Sequence, residues 1–270
     1  MPRLAKQIII FCIFLLLFSG LGYGAYFLLT PRPTCFDNKQ NQGEEGVDCG
    51  AVCGILCAPE TKPLEITSTL ILPAANGEYD FVAAVQNPNS VYGASDIGYE
   101  VIFYDASGNE AGRRQGLFYI VPGQTRFLVE SIKSENIVST SQLVFQPVSW
   151  QKIEGPKTAI DFPLRREQYR NIGTAPVYSE YEGVIYNHSN FNLDKVDVVV
   201  LLLDQQENII GVNTTVVRTF LAGTERYFKV SWPFAVSGEV KHVRIIAATD
   251  ILNNSNFLKT NGSQEEFQKF

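Results

Sequence analysis

The sequence predicts an all-β ectodomain of two tandem β-sandwiches, preceded by one N-terminal transmembrane helix and a small disulfide-rich module. Three observations lead to this fold class. A run without charges extends from Ile8 to Leu29, and four cysteines lie close together in residues 35–57. Beyond residue 65, short runs rich in Val, Ile, Phe and Tyr alternate with clusters of Asn, Gly, Pro and Ser. Such alternation is typical of sandwiches and barrels.

The composition excludes two broad classes of protein. The formal net charge of the 270 residues is -6, whereas most nucleic-acid-binding proteins present a basic surface to phosphate groups. Hydrophobic residues make up 45% of the chain and charged residues 19%, which is too apolar for an intrinsically disordered protein. We therefore expect a folded chain with no nucleic-acid partner.

The first predicted element is a transmembrane helix from Ile8 to Leu29. A helix of these 22 uncharged residues would span about 33 Å, compared with about 30 Å for the hydrocarbon core of a bilayer. Arg3 and Lys6 precede the run, and acidic residues dominate the segment after it. Residues 1–30 are therefore predicted to comprise a cytoplasmic N-terminus and a transmembrane anchor. The positive-inside rule then places residues 31–270 outside the cytoplasm.

A cleaved signal peptide is the alternative interpretation of this segment. A basic start, an apolar stretch and small residues such as Ser19 and Ala25 fit it. The apolar run nevertheless continues past those small residues to Leu29, and it exceeds the usual apolar length of about 7–15 residues. We therefore favour the uncleaved anchor, and both interpretations export the rest of the chain.

Residues 31–62 form the predicted disulfide-rich module. Its four cysteines are Cys35, Cys49, Cys53 and Cys57. An even number of exported cysteines in a Gly-rich segment indicates two disulfides, for which three pairings are open. Two cross-links would order a segment that is too short to form a hydrophobic core. Zinc is a weaker alternative, because the spacing departs from the Cys-x2-Cys pairs of common zinc sites.

The same module contains a candidate calcium site. Carboxylate and amide oxygens are the ligands that Ca2+ prefers, and the candidate ligands here are Asp37, Asn41, Glu44 and Asp48. The spacing matches the length of an EF-hand loop, but Lys39 and Gln42 occupy positions where that loop needs a ligand and a glycine. An acidic, solvated loop is the alternative. We expect no other cofactor.

The remaining residues are interpreted as two copies of one β unit, at 63–154 and 155–254, with a junction at 155–157 and a polar tail at 255–270. Four blocks recur in the same order at an offset of about 100 residues. They are the strand ends at Asn87 and Asn187, the turns that begin at Asp105 and Asp204, the glycines at 112 and 211, and the segments 123–127 and 223–227. Each copy has the length of a seven-stranded antiparallel sandwich.

The cysteine module resembles a short motif of prokaryotic surface and secreted proteins. The residues that carry the resemblance run from Cys35 to Gly50 and read C-x-D-N-x-x-N-x-x-E-x-G-V-D-C-G. Asn38 stands where the motif usually has glycine, and Ala51 replaces a later glycine. The resemblance implies export and disulfide bonds.

The two β units resemble the small prokaryotic immunoglobulin-like families that have an F-x-L-Y-D strand end. The matching residues are V-I-F-Y-D at 101–105 and V-L-L-L-D at 200–204. Val replaces the first Phe in both copies, and Leu replaces Tyr in the second. The resemblance implies two immunoglobulin-like β-sandwiches outside the cytoplasm and no known chemistry.

No residue pattern in the sequence indicates a catalytic site. We find no nucleophile elbow, phosphate-binding loop, zinc-protease motif or dinucleotide fingerprint. We therefore expect a non-catalytic protein, anchored in the lipid bilayer, with a structural or binding role towards a protein or polysaccharide partner. The alternative is an accessory subunit of an envelope secretion, pilus or transport assembly, with helix contacts at Gly20, Gly22 and Gly24.

Overall fold

The computed structural model describes residues 2–29, 35–41, 43–55, 57, 60–153 and 160–258. The chain divides into two compact units, Met1–Glu60 and Thr61–Phe270, which are described one after the other. The predicted junction at 155–157 lies outside the described residues, as does the predicted tail beyond residue 258.

The first unit begins with helix α1, Arg3–Leu29, which contains both Ile8 and Leu29. After the polar residues of its first turns, the sequence from Ile8 onward is apolar all round the helix, so this part has no polar side to turn towards water. The stretch Arg3–Tyr26 is long and apolar enough to cross a membrane, and none of its apolar window is buried. The structure thus contains the predicted N-terminal apolar helix.

The second unit is built from antiparallel strands, and the first of them form sandwich 1. Its strands are β1 Glu65–Pro73, β2 Glu78–Gln86, β3 Tyr92–Asp105, β4 Glu110–Ile120, β5 Thr125–Lys133, β6 Val138–Phe145 and the two-residue β7 Gln151–Lys152. One sheet has the strand order β1-β2-β5 and the other β4-β3-β6, with β7 paired to the start of β3.

Sandwich 2 repeats this connectivity. Its strands are β8 Leu164–Thr174, β9 Val177–Tyr186, β10 Leu193–Leu203, β11 Ile209–Phe220, β12 Glu225–Trp232 and β13 His242–Ala248. The two sheets have the orders β12-β9-β8 and β11-β10-β13. Successive side chains point to opposite faces of each sheet, and alternate residues such as Val101 and Phe103 of β3 face the sandwich interior. The fold class is therefore the predicted all-β, immunoglobulin-like one.

Each sandwich has six long strands in the described residues, one fewer than the sequence analysis predicts. In sandwich 1, Pro147 follows β6 and lacks the N–H that a strand ladder needs. The chain then pairs only briefly, through β7, with β3. In sandwich 2 the chain after β13 forms a short 3-10 turn at Asn254–Asn256, and Phe257 makes a single β-bridge to Leu193.

Each sandwich closes on its own hydrophobic core. In sandwich 1 the rings of Phe81 and Phe103 meet edge to face, with their centroids 5.8 Å apart. In sandwich 2, Trp232 is fully buried, and its Nε1 donates a hydrogen bond of 3.0 Å to the carbonyl of Val212. A buried tryptophan usually pairs its indole N–H in this way.

A third apolar cluster joins the two sandwiches face to face. It is centred on Val82 of β2 with Leu201 and Val212 of β10 and β11, and all three side chains are buried. Because successive residues of a strand point to opposite faces, Leu201 faces sandwich 1 while Leu202 faces the core of sandwich 2. The second unit is thus a stack of four sheets, and its two inner sheets are covered on both faces.

Two buried asparagines close equivalent corners of the sandwiches. Asn87 and Asn187 are both fully buried. The Nδ2 of Asn187 donates to the carbonyls of Phe191 and Phe220 at 2.8 and 3.0 Å. The Nδ2 of Asn87 donates in the same way to two carbonyls at 2.7 and 3.0 Å. These amides satisfy backbone groups that no ladder partner reaches.

The turns that begin at Asp105 and Asp204 also match each other. The Oδ1 of Asp105 accepts hydrogen bonds from the backbone N–H groups of Ser107 and Asn109. Asp204 accepts equivalent bonds two and four residues further along its own turn. These hydrogen bonds, above all those with the asparagine at the end of each turn, hold the pKa of both carboxyl groups below the ordinary value. The aspartates are turn-forming residues, as the sequence analysis predicts.

Candidate functional sites

The cysteines of the module lie in a compact segment, residues 35–57, which we call the collar. Its disulfides are Cys35–Cys53 and Cys49–Cys57. The structure therefore selects one of the three pairings that the sequence leaves open. Because all four sulfurs are in disulfides, they are not available as the thiolate ligands of a zinc site.

The candidate calcium ligands use their oxygens within the collar itself. Asp48 accepts hydrogen bonds from the backbone N–H groups of Asp37 and Asn38 at 3.0 and 2.9 Å. Glu44 accepts them from the N–H groups of Asn41 and Asp48 at 3.2 and 3.3 Å. Carboxylates in such contacts act as caps for a folded loop. Calcium binding at these four residues stays a prediction.

Glu44 is the one carboxylate of the collar that is buried, with 7% of its surface exposed. Among the described residues, three side chains of types that can ligate a metal lie close enough together to share one ion. They are Cys35, Glu44 and Cys53. Two of these three side chains are joined to each other in a disulfide. The group is therefore a structural cluster, in which Glu44 supports the backbone around the first cross-link.

Reduction is expected to loosen the collar while leaving the unfolding of the second unit unchanged. The collar depends on two cross-links, each worth about 2–4 kcal/mol in a typical case, whereas residues 61–270 contain no cysteine. Tryptic cleavage after the exposed Lys39 should become faster in the presence of a thiol reductant, as measured by mass spectrometry. The thermal transition of the β-sheet circular dichroism should not move. A lower melting temperature of the sheets on reduction would contradict this division into two units.

A polar contact accompanies the apolar packing between the sandwiches. The Nη2 of Arg126 lies 2.8 Å from a carboxylate oxygen of Asp197, and both side chains are largely buried. The guanidinium also lies over the ring of Tyr119, 3.6 Å from its centroid, in the geometry of a cation–π contact. Burial raises the pKa of the Tyr119 phenol well above its ordinary value. Arg126 belongs to the recurring segment 123–127. Its equivalent in the segment 223–227, Arg226, instead donates to backbone carbonyls.

An acidic cleft of about 210 Å³ adjoins this contact. Its lining includes the aspartates Asp96, Asp194, Asp197 and Asp250. Two of them are already engaged: Lys195 pairs with Asp197 at 3.0 Å, and Ser95 donates to Asp250 at 2.8 Å. The Ser95–Asp250 bond also links the two sandwiches. We therefore assign this cleft a structural role in fixing the sandwiches against each other.

A second cleft, which we call the aromatic cleft, lies at one end of sandwich 2 and has a volume of about 470 Å³. It is formed by the β8–β9 hairpin and the loop between β12 and β13. Its lining residues with chemical functions or rings are Tyr169, Asn171, Tyr178, Ser179, Phe234 and Glu239. This volume falls in the range of about 300–1,000 Å³ that is common for small-molecule sites.

The sequence analysis did not identify the aromatic cleft. The residues of the cleft come from segments about 60 positions apart, and only the pairing of β9 with β12 brings the segments together. The one usable signal is the run of small and apolar residues at 234–238, which reads F-A-V-S-G and does not continue a strand.

A shallow groove runs along one face of α1. Gly20 and Gly24 lie one turn apart there, and a Cβ added at either position would meet nothing within 4 Å. Leucines at 16, 17, 21 and 28 form its sides. Such small residues permit close helix approach. The function as an accessory subunit of an envelope assembly, which would use this face, stays a prediction.

Comparisons with known proteins give no family assignment. No protein-family model matches the chain, and no curated protein matches it. Among solved structures, red sea bream transglutaminase is similar at 10% identity and a TM-score of 0.22, over 68% of this chain and 29% of that one. An anti-sigma factor domain-containing protein is similar at 9% identity and a TM-score of 0.19, over 67% and 84% of the two chains.

A third similar structure, the FN1–FN3 domains of chicken CNTN1, has 10% identity and a TM-score of 0.15, over 72% of this chain and 69% of that one. The present chain thus spans less than a third of the length of the transglutaminase. Similarities of this size carry no inference about function.

Proposed function

We propose that the protein is a single-pass membrane protein whose sandwiches lie outside the cytoplasm and act by binding, without catalysis. The observation that carries this proposal is the unburied apolar surface of α1. A helix that is apolar on all sides is stable in lipid, where its backbone groups pair internally. Such a helix in water would form an aggregation-prone patch.

The disulfides of the collar support export of the chain. Disulfide bonds persist in oxidising compartments and are rare where glutathione and thioredoxin keep thiols reduced. Arg3 and Lys6 on the N-terminal side of α1 favour a cytoplasmic N-terminus under the positive-inside rule. The collar and sandwiches would then share the extracytoplasmic side.

A binding role is favoured by how the second unit is built. Both outermost sheets have polar outer faces: Arg113 pairs with Glu100 on sandwich 1, and Arg170 pairs with Glu180 on sandwich 2. Surface pairs of this kind contribute little to stability but keep a surface soluble. The packed sandwiches between them hold the aromatic cleft and the connecting loops in fixed positions, as a binding protein requires.

Cysteine labelling in intact cells tests the orientation. In a Cys12→Ser background, a Ser107→Cys variant places a thiol in the exposed turn after β3, and a Pro2→Cys variant places one at the N-terminus. A membrane-impermeant maleimide should label the first variant in intact cells and the second only after lysis. Labelling of Pro2→Cys but not Ser107→Cys in intact cells would reverse the topology and refute the proposal.

A further inference from the structure

Strand β6 forms a sheet edge that no other strand covers in the described residues. It pairs with β3 on one side, and its other side has no partner strand. In a seven-stranded sandwich of this connectivity, the last strand would lie on that side. Here the chain leaves the sheet after β6 and forms the short β7 instead. Alternate N–H and C=O groups of β6 therefore point out of the sheet, where a further strand could pair with them.

The other edge strands have features that protect a sheet edge. Charged side chains, prolines and bulges are the usual ones, because they disfavour the addition of another strand. Charged residues occur in the edge strands β4, β5, β8, β12 and β13. The edge strand β11 is tied to β12 by a hydrogen bond from Asn213 to the Ser231 carbonyl, and β1 has a bulge at Thr67 and ends at Pro73. In contrast, β6 has no charged residue, and its ladder with β3 is regular from residue 140 to residue 145.

The equivalent strand of sandwich 2 is protected. Strand β13 pairs with β10 as β6 pairs with β3, and its outer side also has no partner strand in the part of the chain that the structure describes. Arg244 and His242 of β13 are exposed and lie beside Glu207, with Nη2 of Arg244 2.9 Å from its carboxylate. Charges at an edge disfavour pairing with another strand. Of the two equivalent edges, only that of sandwich 1 is therefore open to a further strand.

Apolar surface lies at both ends of β6. Ile137, directly before the strand, is 75% exposed. At the other end is a groove of about 380 Å³, whose apolar lining includes Phe145, Val148 and Trp150. In a symmetric antiparallel pair, the beginning of each strand lies beside the end of the other. The exposed isoleucine and the groove are thus placed where two copies of the same strand would bring them together.

We propose that sandwich 1 pairs with a second copy of this chain through β6, in an antiparallel arrangement with two-fold symmetry. A two-fold axis at Gln142 would place Ile137 of each copy opposite residue 147 of the other, between the groove-lining residues Gln146 and Val148. Because β6 has no charged residue, no like charges face each other across the pair. The sheet β4-β3-β6 then continues into its copy and becomes a six-stranded sheet.

The second copy gives the proposed binding role a partner. In the cell the pairing rests on that proposal, because copies anchored in one membrane meet at a raised effective concentration. The pairing of purified chains does not depend on the orientation in the membrane. Failure of the pairing and failure of the labelling experiment are therefore separate results.

Cross-linking of the purified full chain tests the register. In the Cys12→Ser background, which removes the free cysteine of α1, Gln142→Cys places two thiols opposite each other at the two-fold axis. Directly opposite residues of an antiparallel pair have Cβ atoms about 4.5–5.5 Å apart, close to the spacing of a disulfide. Mild oxidation should give a disulfide-linked dimer on a non-reducing gel. Gln115→Cys is the matched control, since this exposed residue lies on β4, at the opposite edge of the same sheet, and should stay monomeric.

Two further variants, without new cysteines, test the contacts. Gln142→Lys should weaken dimerisation about tenfold or more, because it brings like charges together at the axis. Ile137→Ser should weaken it about threefold or more through the loss of apolar contact. The controls Gln115→Lys and Leu117→Ser make the same kinds of change on β4, where Leu117 is 68% exposed; each should stay within about twofold of the parent. Sedimentation velocity in detergent measures the dissociation constant, and circular dichroism checks that every variant is folded.

Four outcomes would overturn the proposal. One is a chain that stays monomeric in both assays, and another is equal cross-linking of Gln142→Cys and Gln115→Cys. A dimer that Gln142→Lys leaves unchanged would be held together elsewhere, for example through α1. Cross-linking of Gln142→Cys in native membranes only to a different protein would show that another chain occupies the edge of β6.

Discussion

Replacing Leu201 with alanine is expected to destabilise the second unit by about 2–5 kcal/mol, as for a leucine in a well-packed core. Leu201 lies on the side of β10 that faces out of its own sandwich. It is nevertheless fully buried, because Val82 and other apolar residues of sandwich 1 cover it. In a sandwich that stood alone, this position would face water, where truncation typically changes stability by no more than about 0.5 kcal/mol.

Chemical unfolding by urea, followed by circular dichroism, measures this effect. Leu202→Ala is the matched control for a true core position, because the neighbouring side chain faces the interior of sandwich 2 and should cost a similar amount. Val144→Ala, on the exposed outer face of β6, is the surface control and should have little effect. If Leu201→Ala behaved like Val144→Ala, the face-to-face packing of the sandwiches would be wrong.

The second large effect is expected at the buried corner asparagines. Asn187→Ala should cost about 2–4 kcal/mol, because it leaves the buried carbonyl of Phe220 and the partly buried carbonyl of Phe191 without their donor, and each unpaired buried group costs about 1–3 kcal/mol. Asn87→Ala should have an effect of similar size in sandwich 1. The equivalence follows from the same pair of hydrogen bonds in both corners.

Thermal unfolding and native-state hydrogen exchange would measure this loss and locate it. Asn208→Ala is the control, since that asparagine is exposed and its side chain bonds only to Asp204 in a turn. Its substitution should change stability by at most about 1 kcal/mol. Two corner variants that unfold no more easily than Asn208→Ala would show that the buried amides are not needed for the fold.

Much of this architecture can be predicted from the sequence because local chemistry determines it. The uncharged run from Ile8 to Leu29 predicts one long apolar helix, which the structure contains as α1. The Asp105 and Asp204 turns follow directly from side chains that bond their own backbone. The cysteine count predicts two disulfides, but the pairing depends on how the loop folds. Only the structure shows that Cys35 is bonded to Cys53.

The packing between sandwiches could not be predicted with the same rules. The run V-V-V-L-L-L at 198–203 is continuous and apolar, which is the signature of a strand covered on both faces. It does not indicate what covers the second face. Domain length predicts a seventh long strand in each sandwich. In the described residues sandwich 1 has only the two-residue β7 at that point of the chain and sandwich 2 a single bridge, because a proline and a short turn end the pairing. The aromatic cleft depends on loops whose contacts are non-local.

The buried position of Asn187 has a consequence for maturation of the chain. Asn187, His188 and Ser189 form an acceptor sequence for N-linked glycans. The nitrogen to which a glycan would be attached is the same Nδ2 that donates to two backbone carbonyls within the fold. Attachment and closure of the corner therefore exclude each other, and a host that glycosylates nascent chains at this asparagine would prevent sandwich 2 from maturing.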